Sequence, residues 1–98
     1  MANEVVDDPS AHRFEVTVDG HLAELDYRVN GSRLVLIHTE VPDELGGHGL
    51  GGALVRAALE RAAREQLTLV PLCPFARQWL QEHPDEIGAV PVDWEKIR

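Results

Sequence analysis

The chain has 98 residues, enough for one small domain with a single core. Its 44% hydrophobic and 27% charged residues are those of a water-soluble globule, and no apolar run approaches the roughly 18 residues of a membrane span. A formal net charge of −8 argues against a nucleic-acid backbone as partner, because phosphates need a basic face, and a lone cysteine excludes an internal disulfide.

That charge mildly favours a cationic acceptor such as an amine or a Lys-rich protein surface, although acidity also serves solubility alone. Residues 1–11 read as a flexible acidic leader with no basic-then-apolar pattern of a signal peptide, and 12–98 as one domain. Cysteine usage points to the cytoplasm; no membrane partner is expected and no metal site is assigned.

From residue 13, Arg-Phe-Glu-Val-Thr-Val alternates apolar and polar, which predicts a half-buried strand with Phe14, Val16 and Val18 on one face. Asp19-Gly20 is a hairpin turn pair, and alternation resumes over 21–29 with Leu22, Ala23, Leu25, Tyr27 and Val29. Asn30-Gly31 signals a second hairpin. The near-continuous apolar run Leu34-Val-Leu-Ile37 then predicts a central strand covered on both faces, within 33–41. The first half is thus a three-stranded antiparallel meander.

The period changes in the second half. Leu50, Leu54, Ala57, Ala58 and Ala62 recur at helical spacing, with Arg56, Glu60, Arg61 and Arg64 opposite, so 50–65 is an amphipathic helix. A short apolar strand follows over 67–72, and Pro71 inside it suggests an edge or a bulge. Pro74 suits the first position of a second helix over 75–83, which Pro84 stops. The segment 87–94 has room for one more short strand. Strand, turn, helix and strand form a crossover, so the sheet is mixed: antiparallel first, parallel at the end. The fold class is α+β.

Between the third strand and the first helix lies Val41-Pro-Asp-Glu-Leu-Gly-Gly-His-Gly-Leu-Gly-Gly52, which holds five of the eight glycines. Glycine is poor inside a helix, so the cluster needs a reason. A strand, a glycine turn and a helix N-terminus together aim bare N–H groups at an anion, and phosphate is the usual guest. Gly47-x-Gly49-x-x-Gly52 formally fits the dinucleotide fingerprint. The chain is nonetheless too short for a doubly wound domain, hairpins rather than helices join its early strands, and no acidic residue stands ready for a ribose after Leu72. A P-loop is excluded because no Gly-Lys-Ser/Thr follows.

The run Gly46-Gly-His-Gly-Leu-Gly51 resembles motif A of the GNAT superfamily of N-acyltransferases, Gln/Arg-x-x-Gly-x-Gly/Ala. Three stretches in order resemble the short, single-domain members of about a hundred residues: Leu36-Ile-His-Thr-Glu-Val-Pro42, Gly47-His-Gly-Leu-Gly51 and Val70-Pro-Leu-Cys-Pro-Phe75. His83-Pro84 fits the same pattern, and the resemblance spans 13–84. It implies acetyl-CoA or coenzyme A as cofactor, an amine as acceptor, and N-acetyltransferase activity. The pyrophosphate would lie on Gly46, Gly47, His48, Gly49, Leu50, Gly51 and Gly52, with the positive end of the helix adding to the cradle. Gly49 and Gly51 would admit close backbone approach. Gly46 stands where the pattern has Gln or Arg, so the backbone alone carries the site there.

By the same resemblance, the pantetheine arm pairs with a bulged strand end at His38, Thr39, Glu40 and Val41, where a free N–H would polarise the thioester carbonyl. Acyl transfer to an amine also needs a base and an acid. Glu40 is the candidate base, directly or through water, and His38 the alternative; each is equally readable as a solvated strand-end residue. Many members carry a Tyr acid on the helix after the fourth strand, whereas here Trp79 and Leu80 occupy that region and the only tyrosine is Tyr27. Cys73 stands where many members have Asn. It is a candidate nucleophile relaying the acyl group, or an inert buried thiol. Three functions therefore stand: an acyl-CoA-dependent N-acyltransferase first, a non-catalytic coenzyme A-binding or partner-interaction module second, and an interaction domain without coenzyme last.

Overall fold

Alternation and turn chemistry build a five-stranded sheet in the order β1 (Val6–Asp8), β2 (Arg13–Val18), β3 (His21–Asn30), β4 (Arg33–Glu40) and β5 (Thr68–Pro71). This computed structural model describes residues 4–47 and 49–94. The first four strands pair antiparallel and β4 pairs β5 in parallel, as a crossover through one helix requires. That helix is α1 (Leu50–Glu65); α2 (Pro74–Glu82) and the single turn α3 (Pro84–Ile87) follow. The mixed α+β sheet, the meander and the glycine-turn crossover are as the sequence predicts.

Both hairpins foreseen from the sequence close in two-residue turns. Asp19 and Gly20 have φ of 52° and 81°, the double positive that Asp-Gly tolerates. The second turn is shifted by one residue from expectation: Asn30 still pairs with Arg33, so Gly31 and Ser32 form the turn, with Gly31 at φ 63°.

The main core lies on one face, with Val70, beside Val35 on the other, buried as well. Phe14, Val16, Ala23, Leu25, Tyr27, Leu34, Leu36 and Leu69 point from the sheet to α1 and α2, which bury Leu54, Val55, Ala58, Ala62, Ala76 and Leu80 against them. The expectation that the 34–37 run is covered on both faces fails. Val35 is half-buried and Ile37 is 40% exposed, because α1 and α2 pack on the same side. Pro84 does end α2, but it also opens α3, since a proline fits the first turn of a helix. The strand foreseen in 87–94 reduces to one parallel bridge, Leu69 to Val92. Leu69 N–H donates to Pro91 O and Asp93 N–H to Leu69 O, both at 2.9 Å. This bridge lies along the outer edge of β5.

Residues 6–8, read from the sequence as part of a leader, form β1 instead. The reason is non-local. The Tyr27 hydroxyl, under a side chain 1% exposed, donates to Asp7 and accepts from Arg61 Nη1 at 2.7 Å, while Arg61 also pairs with Asp7 at 3.1 Å. Three residues far apart in sequence thus pin the edge strand to β3 and α1. Burial, then the Asp7 hydrogen bond, push the Tyr27 phenol from 10.0 up to about 12. A folded-state pKa raised in this way gives stability that is complete below the unfolded value and is lost as pH rises through the folded one. Stability should therefore fall between pH 10 and about 12. Because Tyr27 is the only tyrosine, tyrosinate absorbance reports it alone. Ionisation should coincide with loss of circular dichroism, and tyrosinate formed near pH 10 in a still-folded chain would contradict the buried hydroxyl.

The feature that positions the site is a bulge in β4. The register steps from Tyr27 opposite Leu36 to Asp26 opposite His38, so Ile37 is the extra residue. Leu34 and Leu36 face the core before it; after it Thr39, opposite Leu25, does so, and His38 and Glu40 face outward. Pairing of β4 with β5 ends at Leu36 and Pro71. Proline offers no N–H, and the N–H groups of Leu72 and Cys73 both turn to Leu36 O at 3.0 Å. Beyond that point the two strands part.

Candidate functional site

Where β4 and β5 part, a cleft of about 510 Å³ opens between the end of β4, the glycine turn and the first turns of α1 and α2. Its volume is that of a small-molecule site. A 3-10 turn, Asp43–Leu45, leads into it and buries Leu45 as an anchor; Gly46 N–H closes back on Asp43 O at 3.0 Å. Gly47 and Gly49 then take φ of 84° and 70°, the left-handed region that favours glycine, and a Cβ on either would meet open space.

Gly49 is the N-cap of α1. It supplies no side-chain cap, and the first turn holds no acidic residue. The first intrahelical bond runs from Ala53 N–H to Gly49 O, so Leu50, Gly51 and Gly52 present N–H groups without acceptors inside the helix. All three residues line the cleft, and none of its described lining residues bears a carboxylate. A 16-residue helix adds its positive end there. This arrangement favours an anion.

Gly51 and Gly52 have a further reason that the sequence did not disclose. A Cβ on Gly51 would lie 2.5 Å from the Phe75 ring, and one on Gly52 would lie 2.7 Å from Trp79 Nε1. The space on the Cβ side of Gly51 is thus taken by an aromatic ring. Trp79 is held in turn: it stacks on His83 with ring centroids 4.1 Å apart, and His83 Nδ1 donates to Trp79 O at 2.7 Å.

Of the residues singled out from sequence, Thr39, Val41, Gly46, Gly47, Gly49, Leu50, Gly51 and Gly52 come together around this cleft. His48 lies outside the described residues. His38 and Glu40 do not line the cleft; they sit on the outer face of the sheet, side chains 58% and 63% exposed, with His38 Nε2 3.0 Å from Glu40 Oε1. Cys73 is buried beneath Thr39, whose Oγ1 is 3.1 Å from its Sγ. Sequence reading did not single out Arg56, Phe75 or Trp79 as site residues, yet all three line the cleft. Arg56 was legible in principle: it follows Gly52 by four residues and so shares its face of the helix. The Arg56 guanidinium forks onto Glu86 at 3.0 and 3.1 Å, and this pairing holds the Glu86 carboxyl below its ordinary value.

Residues 13–90, from β2 through the turn after α3, match the family described as GCN5-related N-acetyl-transferase. The chain belongs to the GCN5-related N-acetyltransferase family. It is similar to the Protein NATD1 of Gallus gallus, 34% identical over 84 residues that cover 83% of this chain and 76% of that protein. It is likewise similar to the Protein NATD1 of Homo sapiens, 35% identical over 80 residues covering 79% and 71%. An acyl-CoA N-acyltransferase domain of this family, with its mixed sheet and its glycine turn at the head of a helix, thus accounts for the described fold. Among the described residues no helix is long and apolar enough to cross a membrane.

Proposed function

We propose that the protein transfers an acetyl group from acetyl-CoA to an amine, with the cofactor's pyrophosphate on the glycine turn. The observation that carries this reading is the head of α1: first-turn N–H groups with no side-chain cap from Gly49, left-handed Gly47 and Gly49, and no carboxylate among the described lining residues of a cleft of about 510 Å³. When bound, acetyl-CoA supplies an activated thioester. The N–H groups of Leu50, Gly51 and Gly52 hold phosphate oxygens, and Thr39 and Val41 line the path of the pantetheine arm.

The acceptor reaches the reaction from the outer face of the sheet, where His38 and Glu40 project past the last β4–β5 pair. Glu40 takes a proton from the acceptor ammonium, directly or through water, and His38 beside it orients that carboxylate or serves as the base itself. Glu24, directly across from Glu40 on β3, adds acidity to this face and suits a cationic acceptor; its hydrogen bond with Asp26, then burial, keep its carboxyl above the ordinary value. Cys73, being buried under Thr39, fits a positioning role for that hydroxyl better than an acyl-relay nucleophile. The cytoplasm suits such a cofactor.

Calorimetric titration with acetyl-CoA and free coenzyme A tests the reading. The wild type should bind both in the micromolar range, and Gly49→Arg should weaken both at least about tenfold, since a side chain there enters the space above the turn. Its left-handed φ makes the variant strained by about 1–2 kcal/mol, so a melt must show that it is still folded. A well-folded wild type that binds neither ligand would sink the proposal. A second reading, a coenzyme A-binding module without turnover, draws on the cleft's lack of Glu40, His38 and an acidic tyrosine among its described lining residues. Release of free thiol with a panel of primary amines separates the two.

A further inference from the structure

The cofactor reading above uses the backbone of the cleft and leaves its cationic side chain without a part. Among the described lining residues Arg56 alone carries a positive charge. Its guanidinium lies over the Trp79 ring, Cζ 5.2 Å from the centroid, and Trp79 Nε1 lies 2.7 Å from the place a Gly52 Cβ would occupy. Side chains on a helix lean toward its N-terminus. Arg56 therefore brings its head group back along α1, to within about one 5.4 Å turn of the N–H groups of its first turn.

Two contacts fix the guanidinium there. The Trp79 face supports it from one side, and Glu86, on α3, accepts from Nε and Nη2. A guanidinium has five N–H donors, and this fork uses two. Glu86 is thus a positioning residue that leaves the remaining donors available. The cleft then offers two anion-binding centres side by side: a backbone cradle at the helix end and a pre-oriented guanidinium beside it. A chain of net charge −8 repels a polyanion at long range, so local donors must offset that repulsion.

We propose that Arg56 is a specificity-determining residue for the 3′-phosphate of coenzyme A, reading the phosphomonoester on the ribose while the head of α1 holds the pyrophosphate. The proposal rests on the cofactor reading. A dianionic phosphomonoester gains a charge-assisted hydrogen bond at Arg56 that a ribose hydroxyl does not.

The experiment is a paired titration of coenzyme A and 3′-dephospho-coenzyme A against the wild type, Arg56→Ala and Arg56→Lys. The wild type should prefer coenzyme A by about tenfold or more. Arg56→Ala should bind the two ligands alike, with its affinity for 3′-dephospho-coenzyme A close to that of the wild type. Arg56→Lys should keep part of the preference, as charge remains while the fork to Glu86 is lost. A wild type that binds both ligands equally, or an Arg56→Ala that keeps the preference, overturns the proposal and leaves the cofactor reading standing. Equal weakening of both ligands in Arg56→Ala overturns it too, because that is the mark of a merely structural residue. Should Arg56→Ala melt early, Arg56→Gln, which removes the charge but keeps a stem over Trp79, decides by the same ratio. Failure of the wild type to bind either ligand overturns the cofactor reading itself.

Discussion

Tyr27→Ala should lower the unfolding free energy by about 3–5 kcal/mol, the usual loss for truncating a buried aromatic. Tyr27 is 1% exposed, and its ring packs on Phe14 with centroids 4.8 Å apart. It also lies under the Arg61 guanidinium, Cζ 5.1 Å from the ring centroid. The truncation opens a cavity between β2, β3 and α1, and removes the hydroxyl that joins Asp7 to Arg61. Domains of this size are stable by roughly 5–15 kcal/mol, so the variant sits near its limit. Tyr27→Phe separates the two contributions. It keeps the ring and should lose only about 1 kcal/mol, with the damage concentrated at β1. Urea denaturation measures the first effect, and amide exchange over Val6–Asp8 the second. A loss below about 1 kcal/mol for Tyr27→Ala would mean that the ring is not in the core.

Gly52→Val is the second large effect, with an expected loss of about 3 kcal/mol, the upper end for overpacking a filled interior. The new Cβ would lie 2.7 Å from Trp79 Nε1, and the ring has little freedom to retreat. His83 stacks on it, Arg56 covers it, and Leu80 beside it is fully buried. The helices must separate or Trp79 must leave its place. In a domain of this length such a loss lowers the melting temperature by about 10–20 °C. Thermal melting followed by circular dichroism checks the size, and tryptophan fluorescence, best read in a Trp94→Phe background so that it reports Trp79, should shift toward a wetter environment. An unchanged melt with unchanged fluorescence would show that α1 and α2 do not meet at Gly52. Ligand binding should weaken in parallel, because the same two helices wall the cleft.

What the sequence disclosed follows from which forces are local. Alternation over 13–18 and 21–30 and the Asp19-Gly20 and Gly31 turns are near-neighbour signals, so the meander was legible within a residue. The helical spacing from Leu50 gave α1 end to end, and the glycine cluster marked a turn that lines the cleft. The rest depended on partners distant in sequence. β1 exists because Asp7 meets Tyr27 and Arg61, which lie 20 and 54 residues away. The apolar run at 34–37 resembled a strand buried on both faces, but nothing in a local window reveals on which side the helices pack. Gly51 and Gly52 read from sequence only as ligand glycines, and the close approach of Phe75 and Trp79 on their Cβ side, which gives them a packing reason as well, was not legible. Arg56 looked like a solvated residue until Trp79 and Glu86 were found on either side of it.

The extra residue in β4 reaches further than local geometry. Alternation is a parity rule: along a strand, odd positions share one side and even positions the other. Ile37 resets that parity once, between the core-facing pair Leu34 and Leu36 and the polar group His38, Thr39 and Glu40. Only because of it does a small hydroxyl look into the cleft while an imidazole and a carboxylate look out from the opposite face. An unbroken strand would send His38 inward and Thr39 outward. One inserted residue thus divides the labour of the two sides of the sheet, and no substitution that preserves chain length can restore the unbroken count.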